Sequence, residues 1–101
     1  MAWTKVALTS DVPVGTMRQI TIDDEDIAVY HVIEAYYATS DLCTHAQESL
    51  TAGTLQGCVV GCPKHGGKFD IRTGAAVKFP CVTPLQTYAV EIRGEEIWVN
   101  V

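Results

Sequence analysis

Over much of the chain apolar and polar residues alternate with a period of two, the pattern of half-buried strands. Arg18-Gln19-Ile20-Thr21-Ile22 alternates, Ile27-Ala28-Val29-Tyr30-His31-Val32-Ile33 is rich in β-branched and aromatic residues, and Ala35 to Thr39 carries two tyrosines, so three successive strands are predicted. The run Asp23-Asp24-Glu25-Asp26 reads as a solvated hairpin tip, because turns favour Asp and tolerate charge. Strands joined in this way make an antiparallel meander. Near the end, Thr87-Tyr88-Ala89-Val90-Glu91-Ile92, the turn Arg93-Gly94-Glu95 and the segment Glu96-Ile97-Trp98-Val99-Asn100-Val101 predict a hairpin. No stretch keeps a helical period with caps at both ends, and no repeat of solenoid length is visible. The expectation is an all-β fold, a small antiparallel β-sandwich or partly open barrel.

At 101 residues the expectation is one domain spanning 1–101, without room for separate cofactor and substrate domains. A core this small gains from a cross-link or bound metal. The net charge of -5 repels polyphosphate and argues against nucleic-acid binding. The apolar start is too short for a secretory signal and no run has the length of a membrane span, so a cytoplasmic protein with no membrane partner is expected. In that compartment, four cysteines point to metal binding before they point to disulfides. Charge is uneven: residues 1–60 hold eight acids and two bases, residues 61–101 four acids and five bases. Lys64, Lys68, Arg72 and Lys78 fall close together, with Asp70 the only acid among them.

Chemistry concentrates in residues 40–84, which hold all four cysteines, six of the eight glycines and two of the three histidines. Cys43-Thr44-His45 and Cys62-Pro63-Lys64-His65 each pair a soft thiolate with an imidazole, and sixteen residues separate His45 from Cys62. Four potential ligands in two turn-prone loops make a metal site. C-x-H is an awkward bite for one tetrahedral zinc, which leaves zinc a second choice. A two-iron cluster solves the geometry, because each loop's Cys binds one iron and each loop's His the other.

This spacing resembles the ligand signature of the Rieske [2Fe-2S] family. The resemblance extends to Thr39-Ser40-Asp41-Leu42-Cys43-Thr44-His45, Gly53-Thr54-Leu55-Gln56-Gly57, His65-Gly66-Gly67-Lys68-Phe69-Asp70 and Arg72-Thr73-Gly74, which look like the soluble Rieske ferredoxins of bacterial aromatic-ring-hydroxylating dioxygenase systems. It also covers the proline-containing loop that shields the cluster, here Phe79-Pro80-Cys81-Val82-Thr83-Pro84. The resemblance implies a Rieske-like fold in which two ligand loops, within about 40–84, form a cluster-binding subdomain inserted in a β framework. It implies one [2Fe-2S] cluster, with Cys43 and Cys62 on the buried iron and His45 and His65 on the outer one. The high-potential branch of the family carries a further cysteine in each ligand loop, where this chain has Glu48 and Lys64, so the disulfide of that branch cannot form. That branch also places Ser and Tyr hydroxyls where this chain has Gly67 and Phe69, and their absence implies a potential near the low end of the Rieske range. Ala46 stands where a glycine is common, and the hairpin at Ile33-Glu34-Ala35 lacks the usual turn glycine.

The resemblance further implies a one-electron carrier that is not catalytic alone. It would take electrons from a flavin-dependent ferredoxin reductase and pass them to a terminal Rieske non-haem iron oxygenase, with His45 and His65 as points of entry and exit. Lys64, Lys68 and Pro80 are the candidate partner surface, and weak, fast-dissociating contacts imply a monomer. Two alternatives remain at this point, a Rieske-like small subunit of a nitrite reductase or other oxidoreductase complex, and a zinc-stabilised binding module. Cys58, Cys81, His31, Trp3 and Trp98 are read as packing residues, although Cys58 and Cys81 together have the makings of a pair.

Overall fold

The structure, a computed structural model, describes residues 2–33, 35–44, 47–64 and 66–101. Among these residues the chain forms β1 (Trp3–Leu8), β2 (Thr16–Ile22), β3 (Glu25–Val32), β4 (Ala35–Ser40), β5 (Thr54–Gln56), β6 (Val59–Gly61), β7 (Lys68–Asp70), β8 (Ala76–Lys78), β9 (Thr87–Tyr88), β10 (Val90–Arg93) and β11 (Glu96–Asn100). They build three antiparallel sheets, ordered β1-β11-β10, β2-β3-β4-β9 and β5-β6-β7-β8. The all-β antiparallel class is as expected, and the described residues close no barrel. The third sheet goes beyond the expectation of two packed sheets. Its strands have three residues each, too few for alternation to register above the glycines and turns around them. Among the described residues no helix is long and apolar enough to cross a membrane.

The middle sheet organises the molecule through β3. Side chains alternate across a strand, and here both faces are covered. Ile27 and Val29 pack with Val12, Ala38, Ile97 and Val99 against the terminal sheet. Ala28, Tyr30 and Val32 pack on the opposite face with Leu50, Val60, Phe69, Ile71 and Leu85. This double burial explains why the segment reads as a nearly continuous apolar run. Each fully buried aliphatic or aromatic side chain contributes about 1.5–3 kcal/mol of transfer free energy. The Tyr30 hydroxyl, inside this core, is satisfied by Thr39 Oγ1 at 2.8 Å.

The acidic tip is a two-residue turn. Ile22 pairs with Glu25, and Asp23 and Asp24 lie between them at φ 48° and 67°. Two left-handed residues match the twist of the flanking strands, and Asp tolerates that conformation. Glu25 and Asp26 are already strand, and Asp26 Oδ1 accepts from Thr21 Oγ1 at 2.7 Å. In the expected tryptophan packing, Trp98 lies on β11 with the Arg93 guanidinium 4.3 Å from its ring centroid and 5.8 Å from that of Trp3. Trp3 is 37% exposed and belongs to this outer layer, not to the core.

Strands β4 and β9 are hydrogen-bonded neighbours, with Ala38 opposite Tyr88 and Thr39 opposite Thr87, yet the whole third sheet lies between them in sequence. The Ser40 N–H donates to the Gln86 carbonyl at 2.8 Å and closes the neck of this insertion. Gly74 braces it from inside: its N–H donates to the Asp70 carbonyl and its own carbonyl accepts from the Leu85 N–H, both at 2.8 Å. Its φ is 81°, and a Cβ there would overlap the Leu85 carbonyl oxygen. Gly74→Ala is expected to lower the unfolding free energy by about 2 kcal/mol or more, from left-handed strain plus the clash. Urea midpoints of the two proteins check this.

Candidate metal centre

The first cysteine loop is fastened to the middle sheet by Asp41, which is 1% exposed. Its N–H donates to the Asp26 carbonyl at 2.9 Å, and its own carbonyl accepts from the Leu50 N–H at 2.7 Å. Its carboxylate accepts from Gln19 Nε2 at 2.8 Å, from Ser49 Oγ at 2.5 Å and from the Thr51 N–H at 2.9 Å. Three donors for one buried carboxylate satisfy the rule that an interior charge needs hydrogen-bonded compensation. Immediately beyond, the Cys43 N–H donates to the Glu48 carbonyl at 3.0 Å.

The second loop repeats this construction. The Cys62 N–H donates to the Gly67 carbonyl at 2.8 Å, so in both loops the cysteine amide bonds to the carbonyl five residues on. Glu48 and Lys64 join the two loops through Lys64 Nζ to Glu48 Oε1 at 3.1 Å. The positions that the resemblance equates with a disulfide in the high-potential branch therefore hold an ion pair. Part of a third loop also closes over the site. Thr44 Oγ1 donates to the Thr83 carbonyl at 2.7 Å, and Cys81 Sγ lies 3.8 Å from Cys43 Sγ.

Three thiols converge here. Cys43, Cys62 and Cys81 are 2%, 6% and 3% exposed, and Cys62 is within hydrogen-bonding contact of Cys43. Burial pushes the Cys62 thiol above its ordinary range, while an N–H bond from the Lys64 backbone opposes the shift and the Cys43 thiol adds to it. Burial likewise pushes Cys81 up to about 12, with Cys43 adding to the effect. Gly67 makes room for this packing, because a Cβ on it would overlap Cys81 Sγ.

A dry set of sulfur donors suits a soft metal centre such as an iron–sulfur cluster, and Cys43 and Cys62, brought together from two equivalent loops, fit its thiolate side. Among the described residues alone, no group of three or more His, Cys, Asp or Glu side chains is arranged around one ion. His45 and His65, expected as the imidazole ligands, lie outside the described residues, as do Ala46 and Glu34.

Of the basic residues near the site, Lys64 is held by Glu48 and Arg72 by a two-pronged contact to Asp70 at 2.9 and 3.1 Å. The Arg72 contact holds the Asp70 carboxyl below its usual range. Lys68 and Lys78 are paired across β7 and β8. Around the third loop Phe79 is 79% and Val82 73% exposed, and the Phe79–Pro80 peptide is cis. Cys58 and Cys81 form no disulfide, since Cys58 lines a separate cleft with Tyr37 and Arg72. His31 stacks on Tyr36 with ring centroids 4.0 Å apart and bonds through Nδ1 to the Val12 carbonyl at 2.8 Å, in keeping with its packing assignment. The residue that the structure sets beside Cys43 and that the spacing did not single out is Cys81. Its position in the shielding loop was the available signal.

Two matched cysteine loops on an antiparallel β framework thus bring thiols together at one end of the inserted segment. The profile of the Rieske [2Fe-2S] domain matches residues 2–89, and the chain belongs to that family, whose cofactor is one [2Fe-2S] cluster. The ferredoxin CarAc of Metapseudomonas resinovorans is 43% identical over 98 residues, covering 96% of this chain and 92% of that protein. The biphenyl dioxygenase ferredoxin subunit of Pseudomonas sp. (strain KKS102) is 38% identical over 101 residues, covering 99% and 93%. A solved complex of reduced oxygenase and oxidized ferredoxin in carbazole 1,9a-dioxygenase contains a chain that matches with a TM-score of 0.91 at 43% identity, covering 96% of this chain and 91% of that one.

Asp41→Ala removes the acceptor for Gln19, Ser49 and Thr51 together. It is expected to cost about 3 kcal/mol or more in unfolding free energy, because buried donors are left unpaired. Asp41→Asn, which keeps one acceptor oxygen, is expected to cost less. Denaturant titration of the three proteins under one buffer condition gives the order.

Proposed function

We propose that this chain is the one-electron carrier of an aromatic-ring-hydroxylating dioxygenase system, taking electrons from a flavin-dependent ferredoxin reductase and delivering them to a terminal Rieske non-haem iron oxygenase. One observation carries the reading: Cys43 and Cys62 head two loops closed by the same amide-to-carbonyl bond, and the sequence places His45 and His65 two and three residues after them. In this reading the two cysteines bind one iron and the two histidines the other. When bound, the cluster supplies a reversible one-electron couple. The relatives' names as ferredoxin components, together with the oxygenase–ferredoxin complex, support the class of partner.

The chain's own residues do the rest. Burial of Cys43 and Cys62 keeps water from the sulfur ligands, and the Lys64 N–H donates to Cys62 sulfur. Phe69 is fully buried and Gly67 has no side chain, so neither position offers a hydroxyl donor, which supports a low potential of roughly -150 mV. His45 and His65 are the proposed points of electron entry and exit. Lys64, Lys68 and Pro80, beside exposed Phe79 and Val82, are the proposed docking surface, an apolar patch with a basic margin. A monomer in the cytoplasm making short-lived complexes through that surface fits a carrier that must leave one partner before meeting the next. The aromatic substrate does not touch this protein.

Analysis of anaerobically purified protein is expected to find two irons and two sulfides, a rhombic EPR spectrum after dithionite reduction, and a midpoint of roughly -150 mV. One zinc and no signal would sink the electron-transfer reading, and a midpoint well above zero would refute the low potential alone. Lys68→Glu is expected to slow electron delivery to the oxygenase and to flatten its dependence on ionic strength. Stopped-flow rates over a salt series read both effects.

A further inference from the structure

We propose that Cys81 is a positioning residue whose thiol donates a hydrogen bond to the Cys43 sulfur and thereby raises the electron affinity of the cluster without binding iron. The inference rests on the reading of Cys43 and Cys62 as thiolate ligands.

Cys81 Sγ stands 3.8 Å from Cys43 Sγ, within reach of a sulfur hydrogen bond. At 3% exposure it is nearly closed to water. Its place is set from three directions. The Cys81 N–H donates to the Lys78 carbonyl at 3.2 Å, and two residues on, Thr83 is tied by its carbonyl to Thr44 of the first ligand loop at 2.7 Å. On the far side the thiol fills the space of a missing side chain at Gly67, whose ideal Cβ position lies 3.2 Å from the Cys81 nitrogen and 3.3 Å from its Cβ. One thiol therefore touches both ligand loops.

The direction of the bond follows from the count of protons. Once two of the three converging sulfurs serve as thiolates, only the third retains a hydrogen, so Cys81 is the donor and Cys43 the acceptor. A donor aimed at a ligand sulfur stabilises the more negative, reduced state more than the oxidised one. A buried polar S–H also needs an acceptor, and among the described residues the Cys43 sulfur is within reach.

The test uses the cluster-loaded protein and its Cys81→Ala and Cys81→Ser variants. Iron and sulfide content, midpoint potential and the infrared S–H stretch are measured in both oxidation states. Cys81→Ala is expected to keep two irons, to lose the S–H band, and to show a more negative midpoint. The shift should correspond to about a tenfold loss in the reduction equilibrium, which is about 59 mV for one electron. Cys81→Ser is expected to recover part of that shift. In the unsubstituted protein the S–H band should move to lower frequency on reduction, a readout that needs no variant to fold. An unchanged midpoint in a fully loaded Cys81→Ala, or a band indifferent to reduction, would reduce Cys81 to packing and leave the ligand reading intact. Cys43→Ala, made alongside, separates the two: if it retains the cluster while Cys81→Ala and Cys81→Ser lose it, Cys81 is the ligand and both readings fall.

Discussion

A single buried carboxylate holds the chemistry to the scaffold. Asp41 is the last residue before the first cysteine loop that bonds to the middle sheet, through Gln19 and the Asp26 carbonyl, and the first to organise that loop, through Ser49, Thr51 and Leu50. Beyond those bonds the loop is held by its closing amide, the bridge between Leu42 and Ser49, and the packing of Cys43 and Leu50 in the core. The cost of burying a charge is offset by three donors, and the same donors make the loop's entry angle hard to change. The second loop needs no such anchor, since Cys62 follows directly on β6 and Lys68 begins β7.

Legibility in the sequence followed the length of each element. β2, β3 and β4 run long enough for alternation to show, and Asp23 and Asp24 punctuate them with residues that accept left-handed geometry. β5 to β8 are recognisable only in three dimensions, where pairing of Val60 with Phe69 buries both. The two cysteine loops stood out in the sequence because C-x-H and C-x-x-H are rare pairings with a chemical reason, and the structure brings their thiols together. Cys81 was not, because a lone thiol in a proline loop carries no spacing signal; its meaning depends on a contact 38 positions away in sequence with Cys43. The basic run Lys64, Lys68, Arg72 and Lys78 looked like one patch, but Lys64 and Arg72 each have a carboxylate partner while Lys68 and Lys78 face each other.

The two cysteine loops and the third loop are joined laterally by several weak contacts instead of one strong bond. Glu48 and Lys64 pair across them at 36% and 60% side-chain exposure, where an ion pair contributes modestly and is screened by salt. Thr44 ties the first loop to Thr83 of the third by a hydrogen bond, and Gly67 of the second lets the Cys81 sulfur of the third pack against backbone. Geometry is therefore held by close fit and short loop closure more than by a covalent staple.

The neck at Ser40 and Gln86 has an architectural consequence. Because the segment bearing the cysteine loops departs and returns through adjacent strands, its two ends are one strand spacing apart, and the framework closes its own hydrogen bonds at that point. The arrangement is that of a cassette in a socket. The socket is nonetheless completed by its cassette, since Leu50, Val60, Phe69, Ile71 and Leu85 of the inserted segment cover one face of β3.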